Sequence, residues 1–127
     1  VNKENAVAQF QRVVMLARAQ WIKTKQSKVL IYETDFDASG SVKHQKEVAA
    51  EVFINAKGWP EGLEAGLGNA CEYMFTLATL REFDMSSDVS VSDKYVNGYL
   101  QCAFSIQNKV WFDYNAGSGV VRERRIN

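Results

Sequence analysis

VNKENAVAQFQRVVMLARAQWIKT, residues 1–24, is the stretch whose reading decides the fold. On a helical projection Ala6, Val7, Phe10, Val13, Val14, Ala17 and Trp21 fall within roughly a third of the circumference. The stripe predicts a helix of about six turns, or roughly 33 Å. A weaker apolar strip, Ala8, Met15, Ala19 and Ile22, runs along the opposite side. Either it is a set of scattered surface residues, or the helix is buried twice, within the chain and against neighbours. The main stripe also has two readings: a spine on which the rest packs, or a core helix of an unrelated α+β domain. Lysines 23, 25 and 28 suit the negative end of the helix dipole.

The rest of the chain reads outward from this helix. Residues 28–35 predict a strand from Val29, Leu30, Ile31 and Tyr32. Asp37 to Gly40 is a turn signal. Asp35, Asp37 and Ser39 fall at the first, third and fifth positions of a calcium loop, with Gly40 at the sixth. The twelfth position, which needs a bidentate acid, is Lys46, so the segment is read as a hairpin turn and only a weak metal candidate. Residues 44–55 are ambiguous between helix (Glu47 to Val52) and strand (Val52 to Ile54). Lys57-Gly58-Trp59-Pro60 is a sharp break. Asn69 is a candidate N-cap, with Glu72 completing a capping box before the apolar face of Cys71, Met74, Phe75, Leu77 and Ala78. From Ser87 the chain alternates as strands. Val89, Val91 and Tyr95 come first, and Asn97-Gly98 predicts a type I′ turn. Leu100, Cys102, Phe104 and Ile106 then share one face of a second strand. Val110, Phe112 and Tyr114 share one face of a third. The boundaries expected for this single domain are 1–24 helix, 25–68 connector, 69–83 short helix and 87–121 meander.

Composition narrows the function. The 127 residues carry 15 basic and 15 acidic side chains, which gives nucleic acid no basic excess to bind. The hydrophobic fraction, 46%, is that of a folded protein. One histidine, His44, in a lysine-rich stretch and without phosphate loop or nucleophile elbow, argues against an enzyme. No cofactor is expected. Cys71 and Cys102 fit either a disulfide in an oxidising compartment or two buried thiols.

In order along the chain, several pieces resemble the mannose-sensitive haemagglutinin branch of type IV pilins and its minor-pilin relatives. They are Ala17-Arg18-Ala19-Gln20-Trp21, the break at Gly58-Trp59-Pro60, and a cysteine on the following helix, Cys71. Cys102 on a meander strand with Phe104 after it continues the series, and Phe112-Asp113-Tyr114-Asn115-Ala116-Gly117-Ser118-Gly119-Val120-Val121 ends it. The family's leader peptide and very hydrophobic first half-helix do not occur here, as expected of a chain beginning partway along that helix.

The resemblance implies an α+β pilin fold: a long helix packed on an antiparallel meander through Phe10, Val13, Val14, Ala17 and Trp21, with an irregular αβ connector and a short second helix. It implies a Cys71–Cys102 disulfide closing roughly a 30-residue loop, worth about 3–4 kcal/mol in the chain-entropy model. Met15, Ala19 and Ile22 would face other pilin subunits. The protein would be a major or minor subunit of an extracellular pilus used in adhesion and biofilm formation. Before assembly it would be anchored in the inner membrane, meeting the assembly machinery there through the missing N-terminal segment, while the soluble fragment would be periplasmic. A surface glycan or polysaccharide would be a possible ligand. The competing expectations are a type II secretion pseudopilin and a small periplasmic module binding a ligand or calcium through Asp35 and Asp37.

Overall fold

The computed structural model describes residues 3–31, 34–36, 42–45, 50–64, 69–79 and 89–124. The chain is α+β. Helix α1 (Lys3–Thr24) leads into β1 (Lys28–Ile31), β2 (Thr34–Phe36), β3 (Val42–Gln45) and β4 (Ala50–Phe53). Helix α2 (Ala70–Thr79) follows, then β5 (Val89–Val96), β6 (Tyr99–Ile106), β7 (Lys109–Asn115) and β8 (Val120–Glu123).

The last four strands form one antiparallel sheet in the order β5-β6-β7-β8, each joined to the next in sequence. Its tight turns follow from local chemistry. Asn97 and Gly98 both hold positive φ, 54° and 85°, as a type I′ hairpin requires. Gln107 and Asn108 do the same at 51° and 67°. One face of this sheet supplies Leu100, Cys102, Phe104, Ile106, Phe112 and Tyr114 to the core.

Ala6, Val7, Phe10, Val13, Val14 and Ala17 of α1 are buried, and Trp21 packs against the core while partly exposed. The Phe10 ring meets those of Phe104, Phe112 and Tyr114 edge-on, at centroid distances of 5.3, 5.3 and 5.4 Å. Phe104 and Phe112 stack on each other at 4.4 Å. From α2, Phe75 stacks on Phe104 at 5.3 Å. Such ring pairs add about 0.5–1.5 kcal/mol each beyond the area they bury. The disulfide Cys71–Cys102 joins the first turn of α2 to the inner face of β6, at a sequence separation of 31.

Several expectations need correction. Residues 28–35 are not one strand: β1 pairs with β4, whereas β2 pairs with β3. The ambiguous segment resolves at Ala50–Phe53 as strand, because Val29 and Ile31 need partners and find them in Val52 and Ala50. The meander has a fourth strand beyond the three expected, since Val120 and Val121 pair with Asn115 and Tyr114. Val110 faces outward. Opposite Phe104 and Ser105, β7 places Phe112 and Val110, so Trp111 is the extra residue of a bulge. The bulge turns Trp111 into the core, 3% exposed, against Phe75.

The expected cap on α2 is also different. Asn69 sits in the left-handed region, φ 69°, not in the extended conformation of an N-cap. The amide of Cys71 donates instead to Asp93 Oδ2 on β5, 3.3 Å away. Residues 80–83 of the expected helix lie outside the described residues.

Gly119, at φ +75°, closes the turn between β7 and β8 with the Trp59 ring against it; a Cβ there would lie 2.4 Å from that ring. Gly98 has similar φ, +85°, and open space around it. Gly98→Ala is therefore expected to cost only the left-handed backbone term, about 1–2 kcal/mol. Gly119→Ala should cost clearly more in urea denaturation and shift Trp59 fluorescence. Equal losses would mean that Trp59 does not pack on the turn.

Candidate functional site

Two features stand out beyond the core: the free side of α1 and a tightly bonded corner at its carboxyl end. On the free side, Met15 and Ile22 are each 55% exposed and Leu16 39%. Ala8 and Ala19 are exposed beside them. Met15, Ala19 and Ile22 follow one another at helical spacings of four and three, which is why sequence alone could align them. Leu16, one position round the helix, widens the strip and was not anticipated.

The corner brings together three separated sequence pieces. The Arg18 guanidinium lies 4.3 Å from the centre of the Trp59 ring and donates to the Lys57 carbonyl oxygen. Gly119 backs the same ring, and Gly58 approaches Trp21 so closely that a Cβ would fall 2.6 Å from its ring. Lys25 Nζ stands 4.1 Å from the Trp21 ring centre. Segments 17–21, 58–60 and 112–121, far apart in sequence, thus meet at one place. The cations over the rings contribute roughly 0.5–1 kcal/mol each at such exposed positions.

Beneath the corner lies a buried polar network. Asn55 Oδ1 accepts from the amides of Lys57 at 2.9 Å and Trp59 at 3.1 Å. Its Nδ2 donates to Glu61 Oε2 at 2.7 Å and to the Ala116 carbonyl at 2.8 Å. Glu61 Oε2 also accepts the Leu100 amide, at 3.1 Å. Asn55 is 6% exposed and Glu61 4%. Burying these groups is tolerable only because such donors and acceptors meet. Tyr114 adds a bond from its hydroxyl to the Pro60 carbonyl, 2.8 Å. The network ties the 55–61 loop to β6 and to the turn after β7. Neither Asn55 nor Glu61 stood out in the sequence, where Asn55 ends the segment ambiguous between helix and strand and Glu61 opens a glycine-rich stretch that reads as irregular or loosely helical; the nearest signal was the turn chemistry of Lys57-Gly58-Trp59-Pro60.

Of the weak metal set, Asp35 lies in β2 opposite His44 of β3, while Asp37 and Ser39 lie outside the described residues. Among the described residues no group of three or more His, Cys, Asp or Glu is placed to hold a metal. No helix among them is long and apolar enough to cross a membrane. Comparison of the chain with protein-family models, with curated proteins and with solved structures finds no match.

Burial, and secondly the nearby Glu61 carboxylate, push the Tyr114 phenol well above its usual range. A raised phenol favours the neutral form in the folded state. Its contribution to stability is complete below the unfolded value, about 10, and is lost as pH rises through the folded value. Tyr114→Phe should therefore lose about 1–2 kcal/mol at neutral pH, from the stranded Pro60 carbonyl. Denaturant midpoints measured from pH 7 to 11 should then converge for variant and wild type. Parallel curves throughout would show that Tyr114 does not carry this dependence.

Proposed function

We propose that this chain is a structural subunit, major or minor, of a type IV pilus of the mannose-sensitive haemagglutinin type, serving surface attachment and biofilm formation. The observation that carries the reading is the double-sided apolar character of α1. One side holds the core through Phe10, and the other presents Met15, Leu16 and Ile22 to solvent. A spine helix that packs on its own sheet and on neighbouring copies needs both sides.

Two further features support it. Three of the motif pieces that carry the family resemblance, 17–21, 58–60 and 112–121, converge at the Arg18–Trp59–Gly119 corner. The Cys71–Cys102 disulfide suits a subunit that folds in the periplasm and works outside the cell. In this reading the partners are other pilin subunits and the inner-membrane assembly machinery. The subunit performs no chemistry and carries no cofactor.

Met15→Asp with Ile22→Asp tests the reading. Both side chains are more than half exposed, so the isolated domain should keep its stability within about 0.5 kcal/mol. Cells carrying the double variant should yield few or no sheared filaments by sedimentation and electron microscopy, with subunit still present in the membrane fraction. Wild-type filament yield would refute the assignment of this strip to subunit packing.

A further inference from the structure

The outer face of the four-stranded sheet carries a feature that α1 and the polar corner do not use. Antiparallel pairing aligns its outward side chains in rows. Ser92, Ala103, Asp113 and Arg122 stand side by side across β5 to β8, and Lys94, Gln101 and Asn115 form the next row. Ser92 and Ala103 are small, and the longer side chains around them stand higher. The result is an open hollow of about 290 Å³.

Its charge is lopsided. Lys94, Arg122 and Arg124 line it against a single carboxylate, Asp113, a local surplus of two positive charges in a chain of zero net charge. Asp113 organises the arginines. Its Oδ2 accepts from Arg124 Nε at 3.1 Å and Nη2 at 2.9 Å. Its Oδ1 lies 3.6 Å from Arg122 Nε. Arg122 thus keeps its two terminal nitrogens unengaged among the described residues, and Lys94 has no ion pair among them. Arg122 is exposed and its terminal nitrogens are open to a second carboxylate, which a guanidinium can take with both of them.

The remaining lining narrows the class of ligand. Asn115 Oδ1 accepts from the Gly117 amide at 2.7 Å, which leaves its amino group for a ligand. The Gln101 amide can both donate and accept, and Val110 adds an exposed apolar edge. Amides beside an apolar edge suit the hydroxyls and CH face of a sugar. No aromatic ring of the hollow is exposed to stack a base, since Tyr114 is buried facing the core. The volume lies at the lower end of ligand pockets, enough for about one or two sugar rings.

We infer that this hollow binds an acidic saccharide unit of the uronate type, with Arg122 and Lys94 on the carboxylate and Gln101 and Asn115 on the hydroxyls. The site belongs to the folded domain itself and stands whether or not the chain assembles into filaments.

Amide chemical shifts of the ¹⁵N-labelled domain, titrated separately with galacturonate, galactose and inorganic phosphate, test this. Galacturonate should shift amides in 92–94, 101–103, 113–115 and 122, saturating with a Kd on the order of 1 mM. Galactose should leave them in place, and phosphate should bind at least tenfold more weakly. Lys94→Gln and Arg122→Gln should each weaken galacturonate binding about tenfold, the loss of one charge-assisted contact, while the rest of the spectrum confirms the fold. Unmoved amides with galacturonate, equal effects of galactose or phosphate, or undiminished binding in the double variant would each overturn the inference.

Discussion

The insertion of Phe10 among three rings of the sheet is the contact on which the other features depend. Its ring stands edge-on to Phe104, Phe112 and Tyr114 at about the same distance from each. Those three come from adjacent strands, so their alignment requires the β6–β7 register to be right. One helix residue therefore senses whether the meander has formed correctly. Phe75 extends the same stack from α2, and the disulfide fixes that helix to β6. Both helices thus reach their places by closing on one aromatic surface.

From that seating the rest follows. With Phe10 buried, the 100° step of the helix places Arg18 and Trp21 at the corner where Trp59 and Gly119 meet them, and turns Met15 and Ile22 to solvent. The loop carrying Trp59 buries Pro60 and packs the Trp59 ring against the core. It is positioned by the Asn55–Glu61 network, whose bonds reach Leu100 and Ala116 on either side of the sheet turn. The inner face of the sheet is thereby occupied by helices and loop, and the outer face is left with the hollow that Lys94, Arg122 and Arg124 line.

What could be read in the sequence was periodic or local. The α1 stripe, the alternation of Leu100, Cys102, Phe104 and Ile106, and the Asn97-Gly98 turn each declare themselves within a few residues. The features that escaped are those set by distant partners. Trp111 turns inward only because β6 and β7 differ by one residue at the bulge, which no alternation rule contains. The amide of Cys71 is satisfied by Asp93, 22 residues later, so a capping box looked for within four residues was the wrong search. Glu61 is a carboxylate in a glycine-rich loop, and its burial is tolerated because the Leu100 amide of β6 and the Asn55 side chain donate to it. The outer hollow depends on register between four strands, so Lys94 and Arg122 had no visible relation in sequence. The candidate strip on α1 was legible as spacing, though the exposure that gives it meaning came only with the structure.

Equilibrium urea unfolding of Phe10→Ala beside Met15→Ala tests the central claim most directly, since it compares two large residues on opposite sides of one helix. Loss of the ring from the fully buried site should cost about 3–5 kcal/mol, while Met15→Ala should change stability by no more than about 0.5 kcal/mol. If the two variants lose similar amounts, α1 is not seated on the sheet through Phe10, and the arrangement built on that contact is wrong.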